Sequence, residues 1–167
     1  MGKYVVVVIL VVLTGILAAI FPYAQNTKGN ERPLVTVLDT LYAADLDAEE
    51  IAICYLGGHA FLVRTQNHVI LFDPEDKISP LDIHGIKRLD LLLITQRSIA
   101  PSEIETVRSI CEKTTTVLAN RVIHSELKDY VSPEKLREIH ARETLSLSGL
   151  TVTAISSNGE TDEWLMF

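Results

Sequence analysis

The stretch that most constrains the fold is residues 89–103, LDLLLITQRSIAPSE. Leu91, Leu92, Leu93 and Ile94 make an unbroken apolar run, the pattern of a strand covered on both faces. A Ser102-x-x-Glu105 capping-box signature follows, and Ile104, Val107, Ile110 and Cys111 then recur at helical spacing. The pattern predicts a strand over residues 91–94, a loop, and an amphipathic helix over residues 103–113 with its apolar stripe against a sheet. A doubly covered strand feeding a helix belongs to an α/β layered fold.

The chain before this stretch divides in three. Residues 4–24, YVVVVILVVLTGILAAIFPYA, carry no charge. As a helix, about 20 such residues cross the hydrocarbon core of a bilayer, and a helix satisfies its own backbone groups there. Lys3 and the terminal amine precede the segment, which favours a cytoplasmic amino end, although Lys28 and Arg32 follow it. The apolar stretch exceeds the roughly 7–15 residues of a cleavable signal, and Pro22 spoils a cut after Ala24. The expectation is a single-pass membrane anchor over residues 1–24 with the soluble part extracytoplasmic. A cleaved signal and a buried soluble helix are the alternatives. Residues 25–50 read as a linker, QNTKGNERP, and an acidic segment. Val35, Val37, Leu38 and Leu41 fit one helical face, and Asp45, Asp47, Glu49 and Glu50 a solvated acidic turn. A calcium loop is the alternative there, but it lacks the twelve-residue pattern.

Residues 51–56, 60–65 and 68–72 read as strands, with Gly57-Gly58 and Gln66-Asn67 as turns. Beyond the helix come a strand over residues 114–119, a helix over 120–130, a short helix opened by Ser132-Pro133, and a hairpin of residues 143–147 and 150–155. The terminal Trp164-Leu165-Met166-Phe167 looks like the start of another strand. A net charge of −7 without a Lys or Arg run argues against nucleic-acid partners. Cys54 and Cys111 lack C-x-x-C spacing and read as two buried thiols or, in an oxidising space, a disulfide. No phosphate loop, nucleophile elbow or His-Glu-x-x-His helix occurs.

The segment YLGGHAFLVRTQNHVILFDP, residues 89–103 and ETLSLSGLTVTAISS together resemble the metallo-β-lactamase superfamily, especially its lactonase-like branch of metal-dependent hydrolases. The resemblance covers residues 51–155. It implies an α/β fold over residues 51–167 corresponding to the N-terminal half of an αββα sandwich, a mixed sheet with helices on one face. It also implies a Thr-His-x-His-x-Asp-His segment holding two metal ions at the end of the strand. Here Thr95 is present, but the ligand positions hold Gln96, Ser98, Ala100 and Pro101. Gln96 and Ser98 are neutral, Ala100 and Pro101 offer no donor, and Arg97 adds an opposing charge. The later family histidine, expected near Asn158-Gly159, is missing as well.

The expectation is therefore a non-catalytic relative with no catalytic residues and no cofactor, serving as a binding or assembly module or persisting as a truncated remnant. The alternative is a hydrolase with atypical ligands His59, Asp73 and His84, binding zinc and completed by a partner chain. By themselves His59 reads as a turn histidine, Asp73 as a turn-stabilising Asp-Pro, and His68 and His84 as isolated residues. His124 reads as helix surface and His140 as part of an extended connector. A single sheet with helices on one side leaves an apolar face open, which a homodimer or a partner chain would cover.

Overall fold

The computed structural model describes residues 11–12, 35–75, 85–147, 149–156 and 165–166. Its main sheet has strands in sequential order: β1 (Val11–Val12), β2 (Glu50–Gly57), β3 (Ala60–Arg64), β4 (Val69–Phe72), β5 (Leu89–Ile94), β6 (Thr114–Ala119) and β7 (Leu136–Glu138). Strands β2, β3 and β4 form an antiparallel meander, and β4 through β7 run parallel. The six strands β2 to β7 make the mixed sheet that the sequence implies. Strand β1 pairs only with Glu50 and Ile51 at its edge. The rest of residues 4–24 and the linker lie outside the described residues. Among the described residues no helix is long and apolar enough to cross a membrane.

Among the described residues three helices cover one face of the sheet: α1 (Val35–Ala43), α2 (Pro101–Cys111) and α3 (Arg121–Leu127). The unbroken run in β5 explains the layering. Leu92 and Ile94 point to the helices, where they meet Val107, Ile110, Ile123, Leu127 and Leu38 in the larger core. Leu91 and Leu93 point to the other face and join Leu118, Ile139, Leu147, Val152 and Ala154. Burying such a side chain contributes about 1.5–3 kcal/mol, so β5 is held from both sides.

The second core comes from the hairpin β8 (Thr144–Leu147) and β9 (Leu150–Thr153), which lies over the β5–β7 end of the sheet. A short pair, β10 (Ile155–Ser156) with β11 (Leu165–Met166), follows. The open face expected from the sequence is therefore only partly open. Its exposed part lies over β2 and β3, where register aligns Tyr55 with Phe61 and Phe72, and Ile53 with Val63 and Ile70. Phe61 is 40% exposed.

Local boundaries shift in three places. Helix α2 starts at Pro101, and Glu103 rather than Glu105 closes the cap: its Oε2 accepts from Ala100 N–H at 2.7 Å. Proline suits the first helical position because its missing N–H is one the helix leaves unpaired there anyway. The second helix spans Arg121–Leu127, with Asn120 as N-cap. No helix follows Ser132-Pro133. Lys135 N–H and Leu136 N–H bond to Ser132 O in a single turn, and Leu136 then pairs with Val117 in β7. Cys54 and Cys111 are buried free thiols, and burial pushes Cys111 up to about 11, so it stays protonated.

Candidate functional site

In an open parallel sheet, ligands bind beyond the carboxyl ends of the strands. At that edge β4 delivers Asp73, β5 delivers Thr95, β6 delivers Asn120 and the β2–β3 turn delivers His59. Asp73 continues the ladder, its N–H donating to Leu93 O at 2.9 Å. It is 8% exposed and adopts φ +43°, a conformation Asp tolerates better than most residues. Thr95 donates to both of its oxygens, N–H to Oδ1 and Oγ1–H to Oδ2, each at 2.6 Å. Burial pushes the Asp73 carboxyl above the usual carboxylate range, and the Thr95 bonds pull it only partly back.

Two residues along, Glu75 is also buried. Its Oε1 accepts from His59 N–H at 2.7 Å and lies 2.5 Å from His59 Nδ1, while the imidazole is 81% exposed. The doubled glycine makes room for this carboxylate: a Cβ on Gly58, which sits at φ +56°, would lie 1.9 Å from Glu75 Oε2. The loop after β5 is tied down as well. Asn120 is wholly buried, its Nδ2 donates to Gln96 O at 2.8 Å, and its Oδ1 caps α3 through Ile123 N–H at 3.0 Å.

The fold is similar to that of several solved structures. A protein assigned as a metal-dependent hydrolase from Parabacteroides distasonis aligns at 18% identity and a TM-score of 0.50, over 64% of this chain and 45% of that one. The metallo-β-lactamase SMB-1 bound to 2-mercaptoethanesulfonate aligns at 20% identity and 0.50, over 68% and 53%. A subclass B3 metallo-β-lactamase with an active-site glutamic acid aligns at 18% identity and 0.50, over 81% and 63%. The chain carries a metallo-β-lactamase-type fold. It spans about half the length of these structures. No protein-family profile and no curated protein matches the chain.

The metal centre that a metallo-β-lactamase-type fold implies does not fit the residues present. Hydrolytic metal sites need imidazole or carboxylate donors converging on one point. At the loop positions Gln96 is half-exposed and offers only a neutral amide, its backbone carbonyl accepting from Asn120, and Ser98, Ala100 and Pro101 are exposed without a charged donor. Asp73 turns both oxygens to Thr95, and His59 turns Nδ1 to Glu75. Among the described residues no group of three or more His, Cys, Asp or Glu side chains is placed to hold a metal. His84 and residues 158–159 lie outside the described residues.

The structure thus brings His59 and Asp73 into one electrostatic neighbourhood, since His59 lowers and Glu75 raises the Asp73 pKa. Glu75 and Asn120 are the members sequence reasoning missed. A signal for Glu75 was present in Gly57-Gly58, where Gly58 meets both a left-handed backbone and the close approach of Glu75. His124 and His140 also meet, through Glu138: Nδ1 of His124 is 3.9 Å and Nε2 of His140 3.5 Å from its carboxylate. His68 stands apart, at the opposite edge of the sheet.

Proposed function

We propose that the chain is a membrane-tethered assembly module on a partial metallo-β-lactamase-type fold, with no metal chemistry of its own, and that its partner is a second copy. The observation that carries this reading is the sheet's second face, covered by the β8–β9 hairpin over β5–β7 and left half-exposed over β2 and β3. Tyr55, Phe61, Ile53 and Val63 form two apolar cross-strand rows there. Sheets stack through such rows about 10 Å apart. Two copies stacked through this face would form a two-sheet sandwich. The tether rests on the uncharged run of residues 4–24 and requires Val11-Val12 to leave the sheet edge, where they pair with Glu50 and Ile51. The test is the mass of the full-length protein in detergent, corrected for bound detergent. A dimer that Phe61→Asp converts to a folded monomer, still unfolding cooperatively, supports the reading; a wild-type monomer at micromolar concentration refutes it.

One observation favours a second reading, a hydrolase with atypical ligands: His59, Asp73 and Glu75 lie together at the strand ends where related folds act. That reading requires zinc to raise the unfolding midpoint, and His59→Ala to abolish the rise.

A further inference from the structure

The opposite edge of the sheet carries a different chemistry. A cavity of about 160 Å³ opens where the end of α1, the end of β3, the β3–β4 turn and the start of β5 meet, lined by Tyr42, Arg64, Thr65, Gln66, His68 and Arg88, with Val69 at its back. None of the lining residues among those described is acidic, on a chain whose net charge is −7. We propose that this cavity binds a phosphate group.

The strongest element is Arg64. Its side chain is half-buried, and Nη1 donates to the backbone carbonyls of Leu41, at 2.9 Å, and Ala44. Both acceptors are neutral, and no carboxylate pairs with it among the described residues. A guanidinium withdrawn from water without a counter-charge is costly, and an anion in the cavity removes that cost. Nε and Nη2 have no protein acceptor among the described residues and remain for a ligand.

Arg88 lines the other side. Its Nη2 donates to Asn67 O at 2.6 Å and to Asp90 Oδ2 at 3.0 Å, which hold the side chain across the hairpin. Asp90 partners Arg88 and does not line the cavity, so two guanidinium groups and the His68 imidazole face it with no lining carboxylate among the described residues. The donors come from three segments of chain, which suits a tetrahedral oxyanion, and the arginine fork matches phosphate oxygens. The volume is below that of a site for a whole metabolite, so the ligand enters by its phosphate group alone. This inference is independent of the assembly reading, since it concerns the edge away from the loop after β5 and residues outside the β2–β3 apolar rows.

The phosphate has two possible sources, free phosphate or a lipid headgroup at the membrane surface. Calorimetric titration of the full-length protein with inorganic phosphate, and separately with glycerol 3-phosphate as a soluble headgroup, separates them by which binds more tightly. Sodium chloride at matched ionic strength is the control. Saturable binding of either probe, weakened about tenfold or more in Arg88→Gln and in Arg64→Gln, supports the proposal; tenfold is the loss of one charge-assisted bond of about 1.4 kcal/mol. Arg88 is 60% exposed, so its variant keeps the fold even if Arg64→Gln loses the tie to α1 and unfolds. No saturable binding of either probe, or binding equal in wild type and Arg88→Gln, overturns it.

Discussion

Replacing Asp73 by Asn distinguishes a structural carboxyl from a metal ligand. The site favours the neutral form, because burial raises the pKa by more than the two Thr95 bonds lower it. Asn is a neutral group of nearly the same shape. Its Oδ1 accepts from Thr95 N–H, and its Nδ2 donates to the Thr95 hydroxyl, which rotates to accept. A bond to a charged group contributes about 1.5–3 kcal/mol and a neutral one about 0.5–1.5, so two bonds lose about 2–3 kcal/mol. Against this, the substitution removes the desolvation cost of a buried carboxylate, itself several kcal/mol. Asn also accepts the φ of +43° found here. The balance places Asp73→Asn within about 1 kcal/mol of wild type at pH 7, on the stabilising side.

The pH dependence carries the sign. With the folded pKa above the unfolded value near 3.8, the folded state binds more protons between the two. Wild-type stability from this group is full below 3.8 and falls as pH rises through the folded pKa, whereas Asn gives no slope. Urea unfolding of full-length wild type and variant across this range is the assay. The variant's advantage should grow with pH and vanish at the acid end. Asp73→Ala, which strands the Thr95 donors, should cost about 2–4 kcal/mol at the acid end and less as pH rises through the folded pKa. Asp73→Asn destabilised by clearly more than 1 kcal/mol at pH 7 alone would show that the negative charge is needed, as a bound cation would require.

Two further substitutions probe the neighbouring carboxylate. Gly58→Ala meets both a left-handed backbone and the Glu75 carboxylate, and should lower stability by about 2–4 kcal/mol in denaturant titration. His59→Ala keeps the backbone bond to Glu75 and removes only an exposed imidazole, so its cost should stay below about 1 kcal/mol by the same assay.

Much of the fold was legible because it was written in local patterns. The run Leu91–Ile94 announced a strand covered on both faces, and residues 114–119 were read with the boundaries β6 has. The turn at Ser132-Pro133 failed for a physical reason. Its local signals favour a helix start, but Leu136 is drawn into parallel pairing with Val117, a contact across sequence that periodicity does not carry. The loop after β5 was legible as a list of missing donors. What replaces them was not, because Asp73–Thr95, Glu75–His59 and Asn120–Gln96 each join residues 16 to 24 apart. The open face was overstated for a similar reason: Leu147 and Val152 alternate like any hairpin, and nothing local says that they lie on β5 and β6.

The central claim is that the strand-end site is a closed structural network and not a metal centre. Elemental analysis of zinc, manganese and iron in the full-length protein, purified without chelator, tests it most directly. The account predicts a metal content far below one ion per chain, unchanged by Asp73→Asn. A content near one or two ions per chain, lost in Asp73→Asn or His59→Ala, would contradict it.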